Sequence, residues 1–158
     1  LRCLVGSEMC IRDRCNCGRR GCWERYASAT GLIRLTWEAM AAHPESALHA
    51  LAAQGGVEGR TAFEAAQQGD ETALTVCRTY VSYLADGLVS LINILRPEVV
   101  AIGGGVAAAP DHLLLDPLRE IVSRESFGCH GGRCTRVLRA ELGNDAGIIG
   151  AALLGRAQ

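Results

Sequence analysis

Cys15, Cys17 and Cys22 fall close together in the string Cys15-Asn16-Cys17-Gly18-Arg19-Arg20-Gly21-Cys22-Trp23-Glu24. Thiolates bind Zn²⁺ strongly, and glycines among them permit the positive φ values that fold a backbone around one ion. A Cys15–Cys17 bridge would require a strained ring, because disulfide geometry is narrow. The array therefore reads as metal ligands. Three thiolates leave a tetrahedral site one ligand short, so the fourth has to come from elsewhere. Glu24 follows directly. A carboxylate at that point can accept hydrogen bonds from two hydroxyls at once, or serve as a solvated charge on a first helical turn, where it suits the helix dipole.

A second group with chemical potential is Gly103-Gly104-Gly105, at the end of Pro97-Glu98-Val99-Val100-Ala101-Ile102. Glycines after a strand let backbone amides approach a nucleotide without obstruction by side chains. Three glycines also make ordinary tight turns. No Gly-Lys-Ser or Gly-Lys-Thr follows, so the segment is not a P-loop. Cys129-His130-Gly131-Gly132-Arg133-Cys134 reads as a loop with incidental thiols, and Cys77 as a core residue. His43, His49 and His112 fall in polar or helix-end settings without assigned chemistry.

The elements that must position these residues follow from periodicity. Glu24 to His43 reads as one helix, with Leu32, Leu35, Trp37 and Met40 at roughly helical spacing and Pro44 beyond it. Residues 54–60 read as a loop. Thr61-Ala62-Phe63-Glu64 has the capping-box pattern for a short helix to Gln68. Asp70 opens the longest helix, with Leu74, Cys77, Val81, Leu84, Leu88, Leu91 and Leu95 along one stripe. Gly87 inside it costs ~1 kcal/mol relative to alanine, which a close approach of a sheet would explain. Val99 to Ile102 reads as a buried strand, Leu113 to Ser123 as a helix and Thr135 to Glu141 as a second strand. Asn144-Asp145 reads as the cap of a last apolar helix, Ala146 to Leu154. Strand, helix, strand, helix implies an α/β sheet, and two strands are few for one.

Composition narrows the class. The 158 residues are 49% hydrophobic with a formal net charge of -1, which suits a globular chain and gives no electrostatic footprint for nucleic acid. No apolar run is long enough to span a bilayer, and the expected compartment is the cytoplasm. The segment Leu4 to Arg14 has neither helical nor strand periodicity. It resembles the translation of one reading frame of a transposon-derived sequencing adapter. Residues 1–14 are accordingly expected to be non-native, and the native polypeptide to start near Cys15.

The string from Cys15 to Ser28 resembles the second half of the signature of the ROK family of repressors and sugar kinases, Cys-x-Cys-Gly-x-x-Gly-Cys-x-Glu with a serine four residues on. The run from Pro97 to Val106 resembles the family's adenosine-binding turn. The segment Leu142-Gly143-Asn144-Asp145-Ala146-Gly147-Ile148-Ile149-Gly150-Ala151-Ala152 resembles its closing segment. These matches spread over nearly all of residues 15–158. Within the family, Cys-Gly-Arg-Arg-Gly-Cys-Trp-Glu-x-Tyr-Ala-Ser-Ala is similar to the glucokinases of Gram-positive bacteria.

The resemblance implies the C-terminal lobe of the actin-like ATPase and sugar-kinase fold, which is ribonuclease H-like, in truncated form. It implies that Cys15, Cys17 and Cys22 hold a structural Zn²⁺ with an upstream histidine, whose place here falls on Val5, so the site is incomplete. It implies that Glu24 contacts the sugar and that Gly103, Gly104 and Gly105 face ATP, which acts with Mg²⁺. The catalytic aspartate of the family has no counterpart, so no catalytic residue is assigned. The implied activity is phosphorylation of a hexose, with glucose leading, by a full-length homo-oligomer, and the chain alone is expected to be inactive. The alternative implied by the same family is a sugar-responsive transcriptional repressor.

Overall fold

The computed structural model describes residues 14–129 and 134–154. Its organising element is α5 (Glu71–Leu95). The Asp70 carboxylate starts this helix by accepting the Ala73 N–H at 2.7 Å. Arg96 ends it in the left-handed region, at φ 49°, immediately before Pro97. Val76, Cys77, Tyr80, Val81, Leu84 and Leu88 are buried along one face. The expected stripe does not run to the end, however. Leu91 and Leu95 are exposed, and Ile92 takes the buried position. A 3.6-residue repeat drifts around a long helix relative to a fixed partner, so the last apolar residues leave the covered side.

Four helices precede α5 and pack on it or lead to it. The expected single helix from Glu24 to His43 is two, α1 (Glu24–Ala27) and α2 (Ala29–Ala42). Ser28 breaks them. It is extended, at φ -89° and ψ 169°, and its hydroxyl caps α2 by accepting the Gly31 N–H at 3.1 Å. A serine that bonds the backbone two or three residues on competes with helix continuation. Trp37, expected on the buried stripe, is 54% exposed, and Thr36 beside it is buried. Its hydroxyl donates to the Leu32 carbonyl at 2.8 Å.

An unanticipated helix, α3 (Leu48–Gly55), occupies the start of the expected loop, which begins only at Gly56. α4 (Thr61–Gln67) forms without the capping box. The Thr61 hydroxyl instead accepts the Glu58 N–H at 2.9 Å, and Glu64 faces Arg60 at 3.6 Å.

The sheet has two parallel strands among the described residues, β1 (Val99–Ile102) and β2 (Arg136–Arg139), in register Val99 to Arg136 and Ile102 to Arg139. A 3₁₀ turn at Asp111–Leu113 and α6 (Leu115–Glu125) connect them, starting and ending later than expected. Val137 is buried and Val100 and Ile102 partly so, whereas Val99 and Leu138 are exposed. The strand expected to be buried is therefore covered on one face only. α6 supplies that cover, with Leu115, Leu118 and Val122 buried.

A 3₁₀ turn at Gly143–Asp145, rather than a single capping residue, leads into α7 (Ala146–Leu154), which has no buried residue. Cys129 and Cys134, expected as incidental thiols, are joined in a disulfide. His130, the expected start of the rest of that loop, lies outside the described residues. So do residues 1–13 of the adapter-like segment and its non-native reading, apart from Arg14. No helix among the described residues is long and apolar enough to cross a membrane.

Candidate functional site

The cysteine loop closes on itself before α1 begins. Cys15 N–H donates to the Arg19 carbonyl at 2.8 Å and Gly18 N–H to the Cys15 carbonyl at 2.9 Å. Arg14 and Arg20 form an isolated antiparallel bridge that ties its two sides together. Gly18 and Gly21 take φ values of 85° and 71°, which a residue with a Cβ adopts only at a cost. The turn brings the Cys15, Cys17 and Cys22 sulfurs within 4.8 Å of one another. Cys17 Sγ and Cys22 Sγ stand 3.5 Å apart. Tetrahedral Zn–S bonds would place sulfurs about 3.8 Å apart, so the spacing and the soft donor set fit one such ion with a fourth position left over.

The thiols are not equivalent. The Arg19 backbone hydrogen bond and the neighbouring Cys22 and Cys15 thiols hold Cys17 below its ordinary pKa. The hydrogen bond with Cys17 pushes Cys22 up to about 11.

Glu24 is the first residue of α1 and is exposed. The Cys15 thiol donates to its Oε2 at 3.5 Å, so carboxylate and cysteine loop meet directly. Four residues cannot hold a helix by themselves, and α1 takes its place from α5. The Tyr80 hydroxyl donates to the Ala27 carbonyl at 2.8 Å, and the Tyr26 and Tyr83 rings meet edge to face at 5.3 Å. Trp23 Nε1 donates to the Tyr83 carbonyl at 2.7 Å. The Trp23 indole lies over Gly87, where a methyl group would fall inside the ring. The glycine in the middle of α5 thus accommodates a tryptophan, not a sheet.

Gly103, Gly104 and Gly105 lie at the far end of β1. The Ala140 N–H donates to the Ile102 carbonyl at 2.8 Å, fixing the strand where the turn starts. Gly104 has φ 80° and ψ -176°, a conformation essentially restricted to glycine. Gly105 opens a 3₁₀ turn to Ala108. A pocket of about 550 Å³ lies between this turn and α4, lined by Gly105, Val106, Phe63, Arg60, Asp111 and Arg139 among others. Of the three glycines, Gly105 lines it. Arg139 braces the wall, donating to the Ala109 carbonyl at 2.9 Å and pairing with Asp111. The sequence gives no local signal for this pocket, because Phe63 and Arg60 come from a helix distant in the chain.

The cysteines and Glu24 form one cluster and the glycine turn another. Residues 25–102 separate them in the chain, and from the Trp23 seat at Gly87 the last part of α5 runs to Leu95, roughly 12 Å of helix, before β1 leads into the turn. Among the other singled-out residues, His49 bonds the Met40 carbonyl at 3.0 Å at the end of α2. Burial pushes the Cys77 thiol up to about 12. Asp145 sits in the turn before α7.

Comparison with known proteins gives consistent relatives. Residues 8–158 match the model of the ROK family. A glucokinase of Streptomyces coelicolor is 37% identical over 146 residues, which are 90% of this chain and 46% of that protein. Among solved structures, a ROK family glucokinase from Streptomyces griseus, in complex with glucose and AMPPNP, superposes with a TM-score of 0.80. It is 37% identical, and the match covers 92% of this chain and 47% of that one. A ROK family transcriptional regulator, a homologue of the E. coli MLC protein, superposes at 0.73 with 25% identity over 97% of this chain and 37% of that one. The chain thus spans about half the length of the relatives it matches. A match over residues 8–158, joined to the cysteine loop and the glycine turn, places the chain in the ROK family.

Proposed function

We propose that this chain supplies the sugar-contacting and adenosine-binding half of an ATP-dependent hexose kinase, with glucose as the acceptor. The observation that carries the reading is the pocket of about 550 Å³ beside Gly105. Its lining includes Val106 and an edge of Phe63, and Gly105 presents backbone free of a side chain. That suits an adenine with its ribose at the turn. Glu24 accepts hydrogen bonds from two adjacent sugar hydroxyls. Zn²⁺ on Cys15, Cys17 and Cys22 would fix the loop that leads into α1 and so the backbone of Glu24; Cys15 would give up its proton, and with it the hydrogen bond to Glu24, to coordinate the ion. In the whole enzyme, a base takes the proton of the acceptor hydroxyl, whose oxygen attacks the γ-phosphorus as the bond to the β-phosphate oxygen breaks. Mg²⁺ accompanies the ATP phosphates. No residue of this chain is assigned as that base, so the chain alone binds ligands without turning them over.

A regulator of the same family is the second reading, favoured by the similarity to the ROK transcriptional regulator. The pocket beside Gly105 supports the kinase. A coupled assay for ADP release, run with glucose on a protein of the relatives' length that contains this chain, tests the proposal. Glucose-dependent ADP release is expected. Glucose binding without any ATP turnover would move the assignment to the regulator.

A further inference from the structure

We infer that Trp23, seated over Gly87, is a positioning residue that sets how Glu24 meets the sugar. The inference rests on the reading of Glu24 as the sugar contact. Trp23 immediately precedes Glu24 and follows Cys22, so it is the one residue of the chain between the last thiol and the carboxylate. Its carbonyl accepts the N–H groups of Tyr26 and Ala27 at 3.0 and 2.9 Å, which makes its backbone the first turn of α1.

The two ends of α1 are held differently. Tyr80 and Tyr83 hold the far end, through the Ala27 carbonyl and the Tyr26 ring. At the Glu24 end, the hydrogen bond from Trp23 Nε1 to Tyr83 and the contact with Gly87 tie the backbone to α5. A further tie there, between Glu24 and Cys15, lies within the cysteine loop itself. A displaced indole therefore carries Glu24 with it, while α5 and the glycine turn beyond it keep their own packing.

The Gly87 seat has a further property. It accepts a flat ring only while it has no Cβ. Alanine at position 87 suits the helix better than glycine, yet it expels the indole. Helix stability and indole seating are thus driven in opposite directions by one substitution. A role confined to stability would let sugar affinity follow the melting temperature.

The test uses a protein of the relatives' length carrying this chain, in a Trp37→Phe background. Trp37 is 54% exposed and belongs to neither cluster, so the substitution leaves Trp23 as this chain's reporter. Trp23 emission is expected to change as glucose is titrated. Gly87→Ala is expected to raise the glucose KM or dissociation constant roughly tenfold, while kcat and the KM for ATP stay within about twofold, the signature of lost ground-state positioning. Trp23→Phe, which keeps a ring but loses the Nε1 donor, should show a smaller rise and provides the test if Gly87→Ala does not fold. Trp23→Leu combined with Gly87→Ala removes the clash and should restore the melting temperature but not glucose affinity. Glu24→Gln separates the two readings. Unchanged glucose affinity in Glu24→Gln would overturn the sugar-contact reading itself. Weakened binding in Glu24→Gln with normal affinity in folded Gly87→Ala would overturn the positioning role alone. Glucose and ATP parameters falling together with the melting temperature would also overturn it.

Discussion

Asp70 and Ala47 are joined by a hydrogen bond in which the Ala47 N–H donates to the Asp70 carboxylate at 2.7 Å. The same carboxylate accepts the Ser46 hydroxyl at 2.9 Å and, through its other oxygen, the Ala73 N–H that starts α5. One side chain therefore caps the long helix and holds the approach to α3. Replacing it with alanine leaves donors at both places unpaired. Asp70→Ala is expected to cost about 2 kcal/mol, at the upper end of single-cap losses, and Asp70→Asn less, since asparagine keeps one acceptor. Urea unfolding followed by circular dichroism measures both. Equal stability of Asp70→Ala and the parent would remove the double-cap argument.

The pH dependence of that contact has a fixed sign. Burial pushes the Asp70 carboxyl up, but the Ala73 and Ala47 N–H groups and the Ser46 hydroxyl together hold it below the usual range. A group with a lowered folded pKa contributes fully above its unfolded value of about 3.9 and loses that contribution as pH falls through the folded pKa. The stability difference between the parent and Asp70→Asn should therefore be flat from neutral pH to about 5 and shrink below about 4. A difference that grew on acidification would contradict this assignment.

Three convergent sulfurs make a direct prediction about metal. The chain should take up one Zn²⁺, and Cys17→Ser and Cys22→Ser should each weaken it by at least about tenfold, because a hydroxyl is a poor substitute for a thiolate. Competition with a chromogenic chelator reads the affinity. Cys77→Ser serves as the control, since that thiol is buried on α5 away from the array. Loss of zinc in the Cys77 variant, with retention in Cys17→Ser, would place the ion elsewhere.

The cysteine loop and the glycine turn are legible in the sequence because their chemistry is local. Spacing alone nearly determines which atoms meet when glycines supply the φ values. Ser28 marks why helix boundaries were harder to read. Leucines and alanines on both sides continue the helical pattern, and a single hydroxyl bonded to Gly31 decides the break. α3 is hidden by the glycines that end it. Trp23 and the pocket wall at Phe63 and Arg60 were not legible as site residues, since their partners Gly87 and Gly105 are far away in the chain. Leu91, Leu95 and Val99 fit apolar patterns, but whether such residues are buried depends on what covers them, which no repeat encodes.

Gly104 offers a test of the turn. At φ 80° and ψ -176° it sits where residues with a Cβ are strained by roughly 1–3 kcal/mol. No heavy atom stands within 4 Å of where its Cβ would be, so alanine there is penalised by backbone conformation and not by crowding. Gly104→Ala should weaken AMPPNP binding roughly tenfold, the equivalent of about 1.4 kcal/mol at the turn, while zinc uptake stays normal. Calorimetric titration with AMPPNP supplies the measurement. Undiminished nucleotide affinity in the variant would disconnect the turn from the nucleotide.

The last prediction concerns the order in which thiols react. Alkylation proceeds through the thiolate, so rate follows thiolate fraction and access together. Cys17 is exposed, and the Arg19 backbone bond lowers its pKa. Cys22, in the same loop, is pushed up to about 11 by its hydrogen bond with Cys17. Cys77 is both buried and pushed up to about 12. With iodoacetamide at neutral pH and no metal, Cys17 should be labelled first, Cys22 more slowly and Cys77 only when the chain unfolds. Zn²⁺ should protect Cys17 and Cys22 together while leaving the slow rate at Cys77 unaltered, because a shared ion removes both sulfurs at once. Peptide mapping by mass spectrometry over a time course resolves each site. Labelling of Cys22 ahead of Cys17 would contradict the opposite directions in which the loop shifts the two thiols. Protection of Cys17 alone would mean that the three sulfurs, close as they are, do not share one ion.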